Sequence, residues 1–331
     1  MTEDLDTIWP SLIKEVNSSR HEKSLLLRRL QGIGLHIGID LSSGQRIVVL
    51  EIRSSDSINI NEFPKWSGIE LFIRGLDDNR EAIVLRLVDK EGTIIFDALI
   101  KDINNSLADE KNLENALECF KECLNDWSEF FKRYGYSGLG PESQRGLYGE
   151  LFFLKKYVLA NTDIIDGINY WRGHSRKFQD FSFPNGNVEI KTTIKKEHKT
   201  VIITSEKQLD DAGLISLYLC CLALNVTEDK GRSLPSIIKD IRQFISTTPN
   251  ALRLFNKFLQ DAGYLDEHEK NYENSGYIVK DEHFFKITEG FPRIIDLPVG
   301  VGDIHYTVVL SACKDFEANI NEAVKNLLGD D

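Results

Sequence analysis

Two carboxylates and an ammonium group flank a tight-turn signal near the middle of the chain. Asp180, Glu189 and Lys191 stand in the run Phe178-Gln179-Asp180-Phe181-Ser182-Phe183-Pro184-Asn185-Gly186-Asn187-Val188-Glu189-Ile190-Lys191-Thr192-Thr193. Asn185-Gly186 between two alternating runs predicts a β-hairpin with a type I′ turn, because both residues tolerate positive φ. With those two as the turn, Phe183 pairs with Val188, Ser182 with Glu189, Phe181 with Ile190, and Asp180 with Lys191. Strand parity then places Asp180, Ser182, Glu189, Lys191 and Thr193 on one face and Phe181, Phe183, Val188 and Ile190 on the other. Carboxylates diagonal to each other on adjacent strands reach a common cation, and hard oxygen donors select Mg²⁺, with Mn²⁺ as a substitute. The Ile190 carbonyl between the charged residues is a natural additional ligand. Lys191 could orient or deprotonate a water, or stabilise charge building on a phosphoryl oxygen. The chemistry suited to this face is metal-assisted hydrolysis; the plain alternative is a solvated strand face with a cross-strand ion pair.

The neighbouring elements must hold that hairpin. After the Gly138-Leu139-Gly140-Pro141 break, the spacing predicts a helix from about Ser143 to Leu159. It carries Glu150 among Leu147, Leu151 and Leu154, where a carboxylate is costly unless it is paired, metal-bound or at an edge with its head in water. An extended run, Thr200 to Thr204, follows the hairpin, and the apolar stretch Leu214 to Leu224 reads as a helix, so the whole is an α/β unit. Upstream, the first thirty residues predict two short helices, the second through Leu25, Leu26, Leu27 and Leu30. From Gly34 the period changes to two, predicting an antiparallel meander of about five strands, and the helical period returns from Asp109 to Arg133. Downstream, a helix capped by Ser233, a second over Ala251 to Ala262 and a hairpin around Asp281 to His283 give the order of a winged-helix module. The competing reading is a helical cap whose last strand, Ile304 to Leu310, returns to the main sheet. The regions are 1–108, 109–229 and 230–331.

Asp180, eight intervening residues and Glu189-x-Lys191 on a hairpin resemble the PD-(D/E)XK signature of restriction-endonuclease-like folds. Three flanking stretches strengthen the likeness: Gly146-Leu147-Tyr148-Gly149-Glu150-Leu151 on the preceding helix, Trp171-Arg172-Gly173-His174, and Ser205-Glu206-Lys207-Gln208-Leu209 after the third strand. Together they resemble the bacterial family named "PD-(D/E)XK motif protein", firmly over Trp127 to Leu209 and loosely around Phe291-Pro292-Arg293-Ile294. Gln179 stands where the motif has its proline. The resemblance implies a mixed α/β fold with a sheet flanked by helices and Mg²⁺-dependent DNA endonuclease activity. In it Asp180 and Glu189 are ligands, Glu150 an auxiliary ligand and Lys191 the residue assisting the nucleophilic water. It further implies a restriction or phage-defence setting with methyltransferase or ATPase partners, and a homodimer is compatible with it. The alternative function is a non-catalytic DNA-binding or scaffold subunit on the same fold.

Charge agrees with a local nucleic-acid site on an acidic body. The chain carries a net charge of -12, which argues against holding nucleic acid by bulk electrostatics. From Arg172 to Lys207, however, eight Lys or Arg stand against four acids, leaving 32 bases against 48 acids elsewhere. Arg172, His174, Arg176, Lys177, Lys195, Lys196 and Lys199 of this stretch, and Gln208 just after it, are the candidate DNA contacts. An apolar content of 41% over 331 residues excludes a disordered or fibrous chain. No apolar run reaches the roughly 20 residues of a membrane span and the first residues are acidic, so a cytoplasmic location is expected. The five cysteines form no CxxC pair and read as reduced core residues, and zinc is disfavoured because Cys119 and Cys123 have no further ligands nearby.

Overall fold

The computed structural model describes residues 5–18, 25–29, 34–53, 58–66, 68–76, 80–89, 92–108, 110–135, 138–171, 179–194, 199–228, 230–302 and 304–329. Contacts divide the chain into two compact units, Met1–Tyr136 and Ser137–Asp331, where the sequence reading drew boundaries at 108 and 229.

In the first unit, helix α1 (Leu5–Ser18) precedes five strands, β1 (Leu25–Arg29), β2 (Leu35–Asp40), β3 (Gln45–Arg53), β4 (Ile69–Gly75) and β5 (Arg80–Leu87), then helices α2 (Thr93–Leu107) and α3 (Leu113–Tyr134). The sheet is antiparallel in the order β1-β2-β3-β5-β4. The leucine run at 25–27, expected to be helical, is instead an edge strand paired with β2 from Leu25↔Asp40 to Arg29↔His36. A short apolar run satisfies either periodicity, and here an open strand edge decides. Both sheet faces are buried at the centre: Ile47, Val48, Val49 and Leu50 are fully covered, as are Val84 and Leu85. Helix α3 joins this unit through its apolar stripe and through Trp127, whose Nε1 donates to Asp102 of α2 at 2.8 Å.

The second unit holds the hairpin. Its elements are α4 (Pro141–Phe153), continued by a π-turn over Leu154–Val158, α5 (Ile164–Tyr170), β6 (Phe181–Phe183), β7 (Gly186–Thr193), β8 (Thr200–Ile203), β9 (Leu217–Thr227), β10 (Arg232–Ser233), α6 (Leu234–Ile245), α7 (Pro249–Asp261), α8 (Glu269–Tyr272), β11 (Gly276–Lys286), β12 (Tyr306–Val309) and α9 (Ile320–Leu328). The main sheet runs β10-β11-β9-β7-β6, with β7 and β9 parallel and the other pairs antiparallel. This is the mixed sheet flanked by helices that the α/β reading expected.

Three sequence expectations are corrected here. The apolar stretch at 214–224 is strand β9, not a helix. It is central in the sheet, with Leu217, Leu219 and Cys221 packed into one core layer and Tyr218, Cys220 and Leu222 buried on the other side, so a continuous apolar run satisfies a strand covered on both faces. No hairpin forms at Asp281–His283. β11 runs through those residues with a bulge between Val279 and Asp281, and the polar stretch is tolerated because Asp281, Glu282 and His283 pair with Lys199, Lys156 and Glu317. The winged-helix order therefore fails for want of a wing. Finally, the returning strand β12 joins β8 in a separate two-stranded ribbon, Tyr306↔Ile203 to Val309↔Thr200, rather than the main sheet.

All five cysteines are free, and burial pushes the Cys123 and Cys220 thiols far up and that of Cys313 up to about 11. They behave as small core hydrophobes. Among the described residues no helix is long and apolar enough to cross a membrane.

Candidate active site

Strands β6 and β7 form the expected hairpin with a different turn. Phe183 pairs with Gly186, Ser182 with Asn187 and Phe181 with Val188, so the two-residue loop is Pro184-Asn185 and the register is slipped by two from the one that Asn185-Gly186 implied. Gly186 opens strand β7 with φ 146°. A Cβ there would lie 2.3 Å from the Ser216 carbonyl oxygen, so glycine is demanded by the close approach of Ser216 as well as by the backbone angle. A two-residue slip preserves strand parity, and the two faces are as expected. Phe181 and Val188 are fully buried on the apolar side, with Phe181 against the ring of Phe153 at 4.9 Å.

The charged face is buried as well. Glu189 is 1% exposed. Its Oε1 lies 2.8 Å from Lys191 Nζ, while its Oε2 is buried with no hydrogen-bond partner among the described residues. Asp180 lies just before β6, where its Oδ2 accepts from Ile190 N at 2.7 Å, taking the place of a strand carbonyl. Glu150 reaches the same ground from α4. Gly149 lets that helix close on β7, since a Cβ there would lie 2.5 Å from the Thr192 methyl, and the next residue, Glu150, is 7% exposed. Its Oε2 accepts from Trp171 Nε1 at 2.8 Å.

Burial dominates the electrostatics of this group. Burial, then the charge of Asp180, pushes the Glu189 carboxyl up to about 8 against the pull of Lys191 and of the Asp180 N–H. Glu150 is driven well up by burial and by Asp180, against its Trp171 hydrogen bond. Asp180 is raised by burial, opposed by Lys191 and the Ile190 N–H. Lys191 is the counter-charge: burial lowers its pKa, but Glu189 and Asp180 more than offset that, so the ammonium is held charged. Two negative groups and a third, all strained by desolvation, with an unpartnered buried oxygen, fit a hard divalent ion. Among the described residues no three acidic, His or Cys side chains are gathered in a ligand shell, and the Lys191 ammonium lies on Glu189.

Sequence reasoning missed the polar relay behind Asp180. Gln179 is buried; its Oε1 accepts from Asn187 Nδ2 at 3.0 Å and its Nε2 donates to the Lys207 carbonyl at 2.8 Å. It thus ties β7 to the 3-10 helix Glu206–Leu209. The available signal was an amide side chain directly before Asp180, at the bend that leads into β6. Gln179→Leu leaves the Asn187 amide unmatched in the interior, so a loss of about 2–3 kcal/mol is expected in denaturant unfolding; a loss under about 0.5 kcal/mol would show the relay to be idle. Gln208 itself uses Oε1 to accept from Thr204 N at 2.9 Å and Thr204 Oγ1 at 3.2 Å, ordering the end of β8. Lys199 is paired with Asp281. Arg172, His174, Arg176, Lys177, Lys195 and Lys196 lie outside the described residues.

Residues 5–311 match the family model described as "Putative PD-(D/E)XK family member, (DUF4420)". The chain belongs to this family. Neither a curated protein nor a solved structure matches it. The DUF4420 match spans both compact units and stops short of α9, while the Asp180, Glu189 and Lys191 group lies inside it on the mixed sheet of the second unit.

Proposed function

We propose that this DUF4420 protein is a DNA endonuclease that hydrolyses phosphodiester bonds with Mg²⁺, or Mn²⁺ in its place. The observation that carries the reading is the buried Oε2 of Glu189 beside Asp180, without a hydrogen-bond partner among the described residues, with Lys191 on the other oxygen. Asp180 and Glu189 would hold the ion, with Glu150 and the Ile190 carbonyl as further ligands. A divalent ion there supplies charge to polarise a phosphoryl oxygen and to acidify a water. Lys191, held protonated by its two acidic neighbours, orients the attacking water and stabilises negative charge on the phosphoryl oxygens rather than removing a proton. The basic stretch Arg172 to Lys207 supports DNA as substrate, and family likeness supports a cytoplasmic restriction or phage-defence role beside methyltransferase or ATPase subunits, with which a homodimer is compatible.

The test is plasmid nicking with Mg²⁺ or Mn²⁺, by the protein alone and with the products of its neighbouring genes. Asp180→Ala and Lys191→Ala are each expected to lower the rate at least about 10²-fold. Cleavage at the wild-type rate in both variants sinks the proposal. Metal-independent DNA binding without cleavage supports the scaffold alternative.

A further inference from the structure

Glu150 has two carboxylate oxygens, and the structure gives one of them a partner that is unusual for an acidic site. Trp171 Nε1 donates to Oε2 at 2.8 Å. The indole N–H is a donor with no acceptor capacity and no charge. The N–H takes up one lone pair of Oε2 and none of the other oxygen, so it orients the carboxylate with that other oxygen left open to a cation. Trp171 is itself fixed on several sides. It is fully buried. Its ring lies 5.6 Å from that of Phe255 and 6.0 Å from that of Phe258, both on α7, and its backbone bridges to Phe181, the residue after Asp180. One residue thus links the auxiliary carboxylate, the start of the catalytic hairpin and α7.

We propose that Trp171 is a positioning residue that selects which oxygen of Glu150 faces a divalent ion, an inference that rests on the metal-site reading above. Partners behind a ligand typically change metal affinity 10–100-fold when removed. The experiment is Mn²⁺ binding to the full chain, followed by calorimetry and by the loss of the free-ion spin-resonance signal, for wild type, Trp171→Phe, Glu150→Gln, the double variant and Glu189→Gln. Trp171→Phe is expected to weaken Mn²⁺ binding about 10–100-fold, and the double variant to bind no more weakly than Glu150→Gln alone, because without the carboxylate there is nothing left to orient. Site-specific replacement of Trp171 by 3-benzothienylalanine, which removes only the N–H, gives the same loss with the ring packing retained, and decides the matter if the phenylalanine variant does not fold. Wild-type affinity in the benzothienyl variant, or losses that multiply in the double variant, overturn the role of Trp171 while leaving the metal site standing. If wild type binds no Mn²⁺, or Glu189→Gln binds it as wild type does, the site and this inference fall together.

Discussion

Glu189→Gln is expected to make the metal-free protein more stable and to abolish metal binding at the same time. Burial and the neighbouring Asp180 raise the folded-state pKa of Glu189 to about 8 from an ordinary 4.5. A carboxyl raised on folding takes up a proton as the chain folds, so its ionisation opposes folding increasingly as pH climbs from about 4.5 to about 8, and in full above that. Glutamine mimics the protonated form. Its advantage over wild type is therefore near zero below pH 4.5 and reaches an order of 2–4 kcal/mol above pH 8, read as a rise of several degrees in Tm. Wild type regains the ground when Mn²⁺ is added, since an ion at a thousand times its Kd stabilises by about 4 kcal/mol, and glutamine does not. The two melting temperatures should thus cross on adding Mn²⁺ at pH 8, and wild-type affinity should strengthen between pH 6 and 8 as the competing proton leaves. A destabilised glutamine variant in metal-free buffer at pH 8 would mean that Glu189 is a structural ion-pair residue held by Lys191.

Gly186→Ala should be among the most damaging single-atom additions in the second unit. The residue sits at φ 146°, and the added Cβ would lie 2.3 Å from the Ser216 carbonyl and 2.2 Å from its hydroxyl. Neither atom is free to retreat. The Ser216 carbonyl accepts from Asn187 N at 3.0 Å and the hydroxyl donates to the Asn185 carbonyl at 2.6 Å. Backbone strain and overpacking together predict a loss of about 3–5 kcal/mol, enough to abolish accumulation of folded protein in many domains of this size. Gly213, with φ 77° and no atom within 4 Å of its built Cβ, isolates the backbone contribution, and its alanine variant should lose only about 1–2 kcal/mol. Denaturant midpoints for the pair give the comparison. Equal losses would show that the contact with Ser216 yields, and that Gly186 is there for its backbone angle alone.

The same glycine explains why the site was legible although the turn was misread. Asn185-Gly186 carries a strong type I′ signature, but Gly186 serves the approach of Ser216, which lies thirty residues on and is invisible to local pattern, so the loop moved to Pro184-Asn185. The resulting slip was two residues, an even number, and every side chain stayed on its face; a slip of one would have put Asp180 and Glu189 on opposite faces of the hairpin. Pairing of charge with strand parity thus survived an error in register. What local pattern could not supply was the environment on either side. The helix carrying Glu150 was found because a Gly-Pro break announces it, with Pro141 at its first turn. Leu217 to Leu224 gave no alternation to read, since β9 is covered on both faces, and Leu25 to Leu27 depended on a strand edge formed elsewhere. Burial of the charged face, and the roles of Trp171 and Gln179 behind it, follow from contacts between elements distant in sequence.

The tip of the hairpin is tied to the last helix of the chain. Asn185 N donates to the Leu327 carbonyl and Asn185 Nδ2 to the Asn326 carbonyl, so the turn partners carbonyls at the end of α9 and adds a second donor to the Asn326 carbonyl, which also accepts from Gly329 N. Those two asparagines are 141 positions apart. At about 5–20 residues per second, a ribosome reaches the α9 contact roughly 7–30 s after the hairpin has been made, so during synthesis the turn waits, unfastened, for a clasp 141 positions further on.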